Sequence, residues 1–62
     1  MIYAWKTDKD LNPVGDSWSF NSDDIKYILQ YLAAKNRGKI NGRHIILPDG
    51  DRIFLTLKTE DL

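Results

Sequence analysis

Residues 21–38 read NSDDIKYILQYLAAKNRG, and they decide the fold because they predict a helix that divides the chain into two halves. The spacing i, i+3, i+4, i+7, which is typical of one buried helical face, occurs at Ile25, Ile28, Leu29 and Leu32. Asn21 or Ser22 is the predicted N-cap, and Gly38 is the predicted left-handed terminator. Two acids, Asp23 and Asp24, are expected in the first turn, where the helix dipole favours negative charge.

Two strands are predicted on each side of the helix, at residues 2–7, 14–20, 40–47 and 52–58. Pro13 cannot donate a ladder hydrogen bond, so the second strand is expected at a sheet edge. Between the last two strands, Pro-Asp-Gly at residues 48–50 predicts a three-residue hairpin loop. This loop pairs Leu47 with Asp51 and Ile45 with Ile53, and it places the apolar residues of both strands on one face.

The fold class that follows is α+β, with the helix packed on one face of a four-stranded sheet. If the helix carries the chain between two hairpins, the first and last strands lie parallel at the centre of a mixed ββαββ sheet of order 2-1-4-3. This order resembles the β-grasp plan of ubiquitin-like and immunoglobulin-binding domains. The resemblance rests on element order, so it implies a fold and no function. The whole chain, residues 1–62, is expected to form one domain.

Composition excludes several classes of function. The chain has 62 residues, no cysteine, and nine basic residues balanced by nine acidic ones. Disulfides, thiolate catalysis and cysteine-based zinc sites are therefore excluded, and neutrality argues against a general polyanion binder. No apolar run is long enough to span a membrane, and no signal peptide is visible, so we expect a cytoplasmic protein without a membrane partner.

We expect no enzyme activity, no metal site and no cofactor. Asp8, Asp10 and Asn12 have the spacing of a calcium loop opening, but Pro13 stands where that loop needs glycine. His44 is the one histidine, and it lacks the cluster of ligands that a metal site needs. A sheet with a single helix leaves little room for a catalytic cleft.

Two surfaces are candidates for binding a protein. If Tyr3 and Trp5 face the helix, the opposite sheet face carries a stripe of Ile2, Phe54 and Ile46, with Arg52, Lys58 and His44 at its rim. On the helix, Tyr27 and Tyr31 are spaced i, i+4 and lie away from the buried face. Tyrosine is enriched at interface hot spots, although such a pair also stabilises a helix or covers a loop.

The basic segment, residues 35–44, carries Lys35, Arg37, Lys39 and Arg43 with no acid. Such a cluster can contact phosphates, with Phe54 or an aromatic residue at the sheet edge as the candidate stacking platform. A solvated loop is the plainer interpretation of the same charges.

The leading hypothesis is a small regulatory protein that binds another protein through Tyr27, Tyr31, Ile46, Phe54 and Arg52, as a modulator or inhibitor of a larger complex. The alternative is a nucleic-acid-binding module that uses the basic segment. Self-association as a homodimer, through an edge strand or the outer face, is compatible with both. The size suits a bacterial or phage accessory protein.

Overall fold

The computed structural model describes residues 1–57 and contains five strands and one helix within them. In chain order the elements are β1 (Ile2–Thr7), β2 (Trp18–Phe20), α1 (Ile25–Asn36), β3 (Lys39–Asn41), β4 (His44–Ile46) and β5 (Arg52–Leu57). The strands form one antiparallel sheet of order β2-β1-β5-β4-β3, and α1 packs on one of its faces. The α+β class with a single helix is therefore confirmed for the described residues.

The predicted four-stranded mixed sheet of order 2-1-4-3 is wrong in strand count and in direction. The segment taken as one strand is a hairpin, in which Asn41 pairs with His44 across Gly42 and Arg43. Gly42 has φ +65°, which suits the first central position of a two-residue type II′ turn. This additional reversal makes β5 run antiparallel to β1, with Trp5 opposite Phe54, so the chain does not follow the β-grasp plan.

The predicted register of the last hairpin is confirmed. Leu47 N–H donates to Asp51 C=O at 2.8 Å, and Ile45 lies opposite Ile53. Gly50, with φ +96°, closes the three-residue loop, as a left-handed position after a type I turn requires. The edge position predicted for the second strand is also confirmed, although that strand is limited to Trp18–Phe20. Residue 58, predicted as the end of the last strand, lies outside the described residues.

The face of β1 is inverted relative to the prediction. Ile2 and Ala4 are fully buried, at 0% exposure, on the side of α1, whereas Tyr3 and Trp5 lie on the open face. The reason is that Ile2 and Ala4 pair with Leu57 and Leu55, which share the face of the buried residues of β5. The stripe predicted from Ile2, Phe54 and Ile46 therefore does not form.

The buried face of the helix is confirmed, but both helix ends differ from the prediction. Asp24 is the N-cap, and its carboxylate accepts the backbone N–H of Tyr27 at 3.1 Å; neither predicted cap, Asn21 or Ser22, occupies that position. Asp23 and Asp24 consequently precede the first turn. At the other end Arg37 adopts the left-handed conformation, with φ 56°, and Gly38 N–H donates to Ala33 C=O at 2.9 Å. This is a Schellman motif with arginine at the left-handed position.

The core lies between α1 and the sheet. It consists of buried aliphatic residues from the helix and from three strands or their ends: Ile2, Ala4, Ile28, Leu29, Leu32, Ile45, Leu47, Ile53 and Leu55. α1 packs mainly on β3, β4 and β5, and Ile2 and Ala4 of β1 are buried in the same core, which leaves β2 beside the helix. Within residues 1–57, no helix has the length and apolar character needed to cross a membrane.

Candidate functional site

An aromatic groove runs between α1 and the edge strand β2. We define it by Trp18 and Phe20 on β2 and by Tyr27 and Tyr31 on α1. Trp18 and Phe20 face the helix side because they pair with Ala4 and Ile2, whose side chains are buried on that side. The two tyrosines face the same space because residues four apart lie on one side of a helix. The groove therefore joins the predicted tyrosine pair to two rings of the sheet.

Two rings of the groove contact each other, and three of the four rings are exposed. Phe20 and Tyr31 meet edge to face, with ring centroids 6.4 Å apart and an interplanar angle of 81°. Tyr27 is 60% exposed, Tyr31 is 43% exposed and Trp18 is 36% exposed. Aromatic rings that are exposed together and held in place are the usual anchors of protein interfaces.

Two adjoining hollows make up the groove. The larger has a volume of about 380 Å³ and lies towards the end of α1, with Leu32 and Ile53 in its floor. The smaller has a volume of about 230 Å³ and lies towards the start of α1, beside Ile28. Phe20 and Tyr31 line both hollows, so the two hollows adjoin at these rings, and both have a largely apolar lining.

The charged residues that line the groove are both cations. Lys35 Nζ lies 5.6 Å from the centroid of the Tyr31 ring and 3.5 Å from the Tyr31 hydroxyl. Lys6 lines the same hollow, and its Nζ is 3.6 Å from a carboxylate oxygen of Asp51. No carboxylate lines either hollow within the described chain. The groove is therefore apolar along its length and positive at the end where α1 finishes.

The opposite, open face of the sheet carries a row of three stacked rings. Phe54 on β5 stacks on Trp5 of β1, with centroids 5.8 Å apart, and on His44 of β4, with centroids 4.9 Å apart. Because β5 lies between β1 and β4, both faces of the Phe54 ring are covered by its neighbours. Phe54 therefore offers no free ring face to a nucleic-acid base.

The predicted protein-binding residues thus fall on two different surfaces. Tyr27 and Tyr31 line the aromatic groove, whereas Ile46, Phe54 and Arg52 lie on the open face and are all partly buried. Arg52 takes part in neither ion pair of the described residues, and its Nε is buried without a hydrogen-bond partner. The open face is a stacked and partly buried surface, and it lacks the hollow that the groove provides.

The basic segment is spread over several elements. Lys35 lies at the mouth of the groove, whereas Arg37 caps the helix. Lys39 is on β3, at the sheet edge farthest from β2, and Arg43 is in the β3–β4 turn. All four side chains are exposed, and of the four only Lys35 lines the groove.

The Asp8 loop is stabilised by backbone hydrogen bonds to a carboxylate. Asp8 Oδ1 accepts the N–H groups of Asn12 at 3.0 Å and of Asp10 at 2.9 Å. These bonds hold the pKa of Asp8 below its usual value of 3.8, and the bond from Asn12 has the largest effect. The carboxylate that resembled the start of a calcium loop thus serves to close the β1–β2 connection.

Sequence reasoning missed three residues of the groove: Trp18, Phe20 and Lys6. Trp18 and Phe20 are two positions apart, which places both rings on the same face of β2. The position of the helix across the sheet, which leaves these rings accessible, has no signal in the sequence. Comparison of the chain with protein families, with curated proteins and with solved structures gives no match.

Proposed function

We propose that this protein is a small non-catalytic regulatory domain that binds another protein through the aromatic groove. The observation that carries the proposal is the grouping of Tyr27 and Tyr31 on α1 with Trp18 and Phe20 on β2 around two adjoining hollows. A pair of exposed tyrosines one helical turn apart would, alone, be compatible with a purely structural role. Three exposed rings around the partly buried Phe20 form an exposed apolar surface, and such surfaces often mark interaction sites.

The charges of the groove support a protein partner more than a nucleic acid. A nucleic-acid site needs several cations along one path and free ring faces for the bases. Here the cations of the basic segment are spread from the end of α1 to the β3–β4 turn, and both faces of Phe54 are covered. The two lysines at one end of an apolar groove suit a partner with an apolar strip and a local acidic group.

Tyr27→Ala tests this proposal with little effect on the fold, because Tyr27 is 60% exposed and does not belong to the core cluster or to the side chains packed against it. A hot-spot tyrosine contributes about 2 kcal/mol or more to binding, which corresponds to a loss of affinity of roughly thirtyfold. Gln30→Ala is the matched control, because Gln30 is exposed on the same helix and lies outside the groove.

The assay is capture of partners from a lysate of the source cells on immobilised protein, with nuclease treatment, followed by mass spectrometry. We expect a protein that is retained by the unmodified chain and by Gln30→Ala but lost with Tyr27→Ala. Thermal denaturation followed by circular dichroism checks that both variants are folded. Equal retention by Tyr27→Ala would exclude the groove as the binding surface, and loss of every partner after nuclease treatment would favour nucleic acid.

A further inference from the structure

The single helix is too narrow to cover the sheet, and this identifies what the groove can hold. Neighbouring strands lie about 4.8 Å apart, so the outer strands of this five-stranded sheet are separated by about 19 Å. A helix with its side chains is about 10 Å across, which covers roughly half of that width. α1 packs on β3, β4 and β5, and Ile2 and Ala4 of β1 are buried in the same core, so the groove lies on the β2 side of the helix. The helix-side face of β2 and the space beside it are therefore left for one further helix.

The length of the groove also suits a helix. From Tyr27 to Lys35 the groove follows α1 for eight residues, which at 1.5 Å per residue is about 12 Å, or slightly more than two turns. Over two turns, a helix with apolar residues at i, i+3, i+4 and i+7 presents one continuous stripe. The two hollows, on either side of Phe20 and Tyr31, accept successive side chains of such a stripe.

An added β-strand is the other common way to bind at this place, and the edge of β2 suits it poorly. Val14 N–H donates to Lys6 C=O at 2.9 Å, so the backbone groups of Lys6 face β2. Because alternate residues of a strand face the same neighbour, the backbone groups of Ile2 and Ala4 also face β2. By the alternation of antiparallel pairs, Trp18 and Phe20 direct their backbone groups to β1, and within β2 only Ser19 directs N–H and C=O outwards. One residue gives two ladder hydrogen bonds, too few to align a strand.

A second copy of this chain does not supply the missing helix. Its only helix within the described residues is α1, whose apolar residues Ile28, Leu29 and Leu32 are already buried in its own core. A helix bound in this groove is therefore a segment of a different protein. Lys35 lines one end of the groove and takes part in neither ion pair of residues 1–57, so it favours acidic residues on the flank of that segment, whereas Lys6 already lies beside Asp51.

We propose, on the basis of the protein-binding function above, that the partner segment is an amphipathic α-helix with acidic residues on one flank. It lies beside α1 along β2, with its apolar stripe against Trp18, Phe20 and the two tyrosines, and with a carboxylate near Lys35. The bound helix adds a second helix to the face of the sheet that carries α1. It binds by the helix-in-groove mode, in which the apolar stripe supplies affinity and the flanking charges select among helices.

Two peptide display libraries test this proposal on the full chain. The first holds amphipathic helices with apolar residues at i, i+3, i+4 and i+7 and with Glu, Gln or Lys at the flanking positions. The second holds extended peptides with apolar residues at every second position. The strongest binder from each library is synthesised, and its affinity is measured by fluorescence anisotropy for the unmodified chain and for Tyr27→Ala, Lys35→Glu and Lys26→Glu.

Lys26→Glu is the matched control for Lys35→Glu. The two lysines are nine positions apart, which at about 100° per residue places them on opposite sides of α1. Lys26 is exposed and lines neither hollow, so its reversal changes net charge equally without changing the groove. Thermal denaturation of each variant separates loss of binding from loss of fold.

We expect the helical library to give the stronger binder, rich in Glu on one flank, whose circular dichroism shows added helix in the complex. Tyr27→Ala should weaken it by roughly tenfold or more. Lys35→Glu should weaken it by about tenfold, because an attraction is replaced by a repulsion, and Lys26→Glu should not. A Glu→Lys change on the peptide flank should restore binding to Lys35→Glu.

Two results would overturn the helix proposal and leave the protein-binding function intact. The first is a Tyr27-dependent extended peptide that binds more tightly than the strongest helical peptide. The second is a Tyr27-dependent helical peptide that shows no preference for acidic residues on its flank. If neither library gives a Tyr27-dependent binder and the lysate capture is also insensitive to Tyr27→Ala, both proposals fail.

Discussion

Gly38→Ala is predicted to destabilise this protein, although glycine to alanine beside a helix is usually harmless or favourable. A Cβ at residue 38 would overlap the Cγ2 methyl of Ile45 and would lie 3.0 Å from the carbonyl oxygen of Ile46 and 3.3 Å from Leu47 Cδ2. Gly38 is not among the glycines with positive φ, so close packing rather than backbone conformation requires glycine here. Ile45 has 0% exposure and cannot move into solvent.

The magnitude follows from two opposing contributions. Forcing one additional carbon into a packed site costs about 1–3 kcal/mol. Alanine restricts the unfolded chain and returns about 0.4–1 kcal/mol. The net loss is about 1–2 kcal/mol, which for a domain of this size lowers the melting temperature by roughly 4–16 °C. Chemical denaturation followed by circular dichroism measures this loss.

A double-mutant cycle identifies the cause. Leucine has no methyl group on Cβ, so Ile45→Leu removes the atom that the new methyl group of Gly38→Ala would overlap, at a cost of its own of less than about 1.5 kcal/mol. Gly38→Ala should then cost clearly less in the Ile45→Leu background than in the unmodified chain. Additive losses would refute the steric explanation, because they would show that the two positions do not interact.

Three further predictions follow from local features. Arg37→Gly should stabilise the protein by about 0.5–1 kcal/mol, because Arg37 has φ 56° and glycine adopts that conformation without strain; Arg37→Ala, measured by the same denaturation, should not. The hydrogen bonds that lower the pKa of Asp8 stabilise the folded state fully at pH values above the unfolded-state pKa of 3.8. This contribution to the free energy of unfolding should disappear as the pH falls through the lower folded-state pKa of Asp8. Carboxyl-carbon NMR titration measures that pKa directly. In Asp8→Asn, the part of the pH dependence of stability that comes from residue 8 should be absent. For the nucleic-acid alternative, four phosphate contacts by the basic segment imply an affinity for single-stranded DNA that falls with roughly the third power of salt concentration, and a flat dependence in fluorescence anisotropy would eliminate it.

The parts of the fold that the sequence predicts are those governed by local periodicity and turn chemistry. The spacing of Ile25 to Leu32 predicts the buried face of α1, and Pro-Asp-Gly with its apolar neighbours predicts the β4–β5 register. Both signals are strong because a shift by one residue would expose a whole apolar face. The adjacency of the first and last strands also followed correctly from their apolar composition.

The strand directions depended on a turn signal that was present and missed. The turn is formed by Gly42-Arg43, a Gly-X pair that suits a type II′ hairpin, but only three strand residues flank it on each side. These two short strands, each with an isoleucine at its centre, resemble one continuous strand. One overlooked reversal inverts every later strand. The whole β-grasp expectation depended on that single dipeptide.

The face of β1 and the residues of the site could not be predicted from local pattern. β1 alternates aromatic and aliphatic residues, so both of its faces are apolar, and only pairing with β5 decides which is buried. The groove was predicted only through Tyr27 and Tyr31, because the lateral position of α1 across the sheet is a property of packing. The left-handed conformation of Arg37 could not be predicted from local pattern either. Glycine is the residue expected at a left-handed helix end, so the sequence indicates Gly38, although Arg37 takes that conformation.

The pairing of β1 with β5 at the centre of the sheet has a consequence for how this chain folds. The β1–β2 hairpin, α1 and the β3–β4–β5 meander each join neighbours in sequence, whereas the central ladder joins strands separated by residues 8–51. Closing so long a loop is entropically unfavourable until the flanking pieces exist. The central ladder should therefore form last, as two preassembled halves meet, and both halves leave an apolar strand edge unpaired until then. In a chain growing from its amino end, the first hairpin and the helix must wait for β5 before Ile2 and Ala4 are sealed from water.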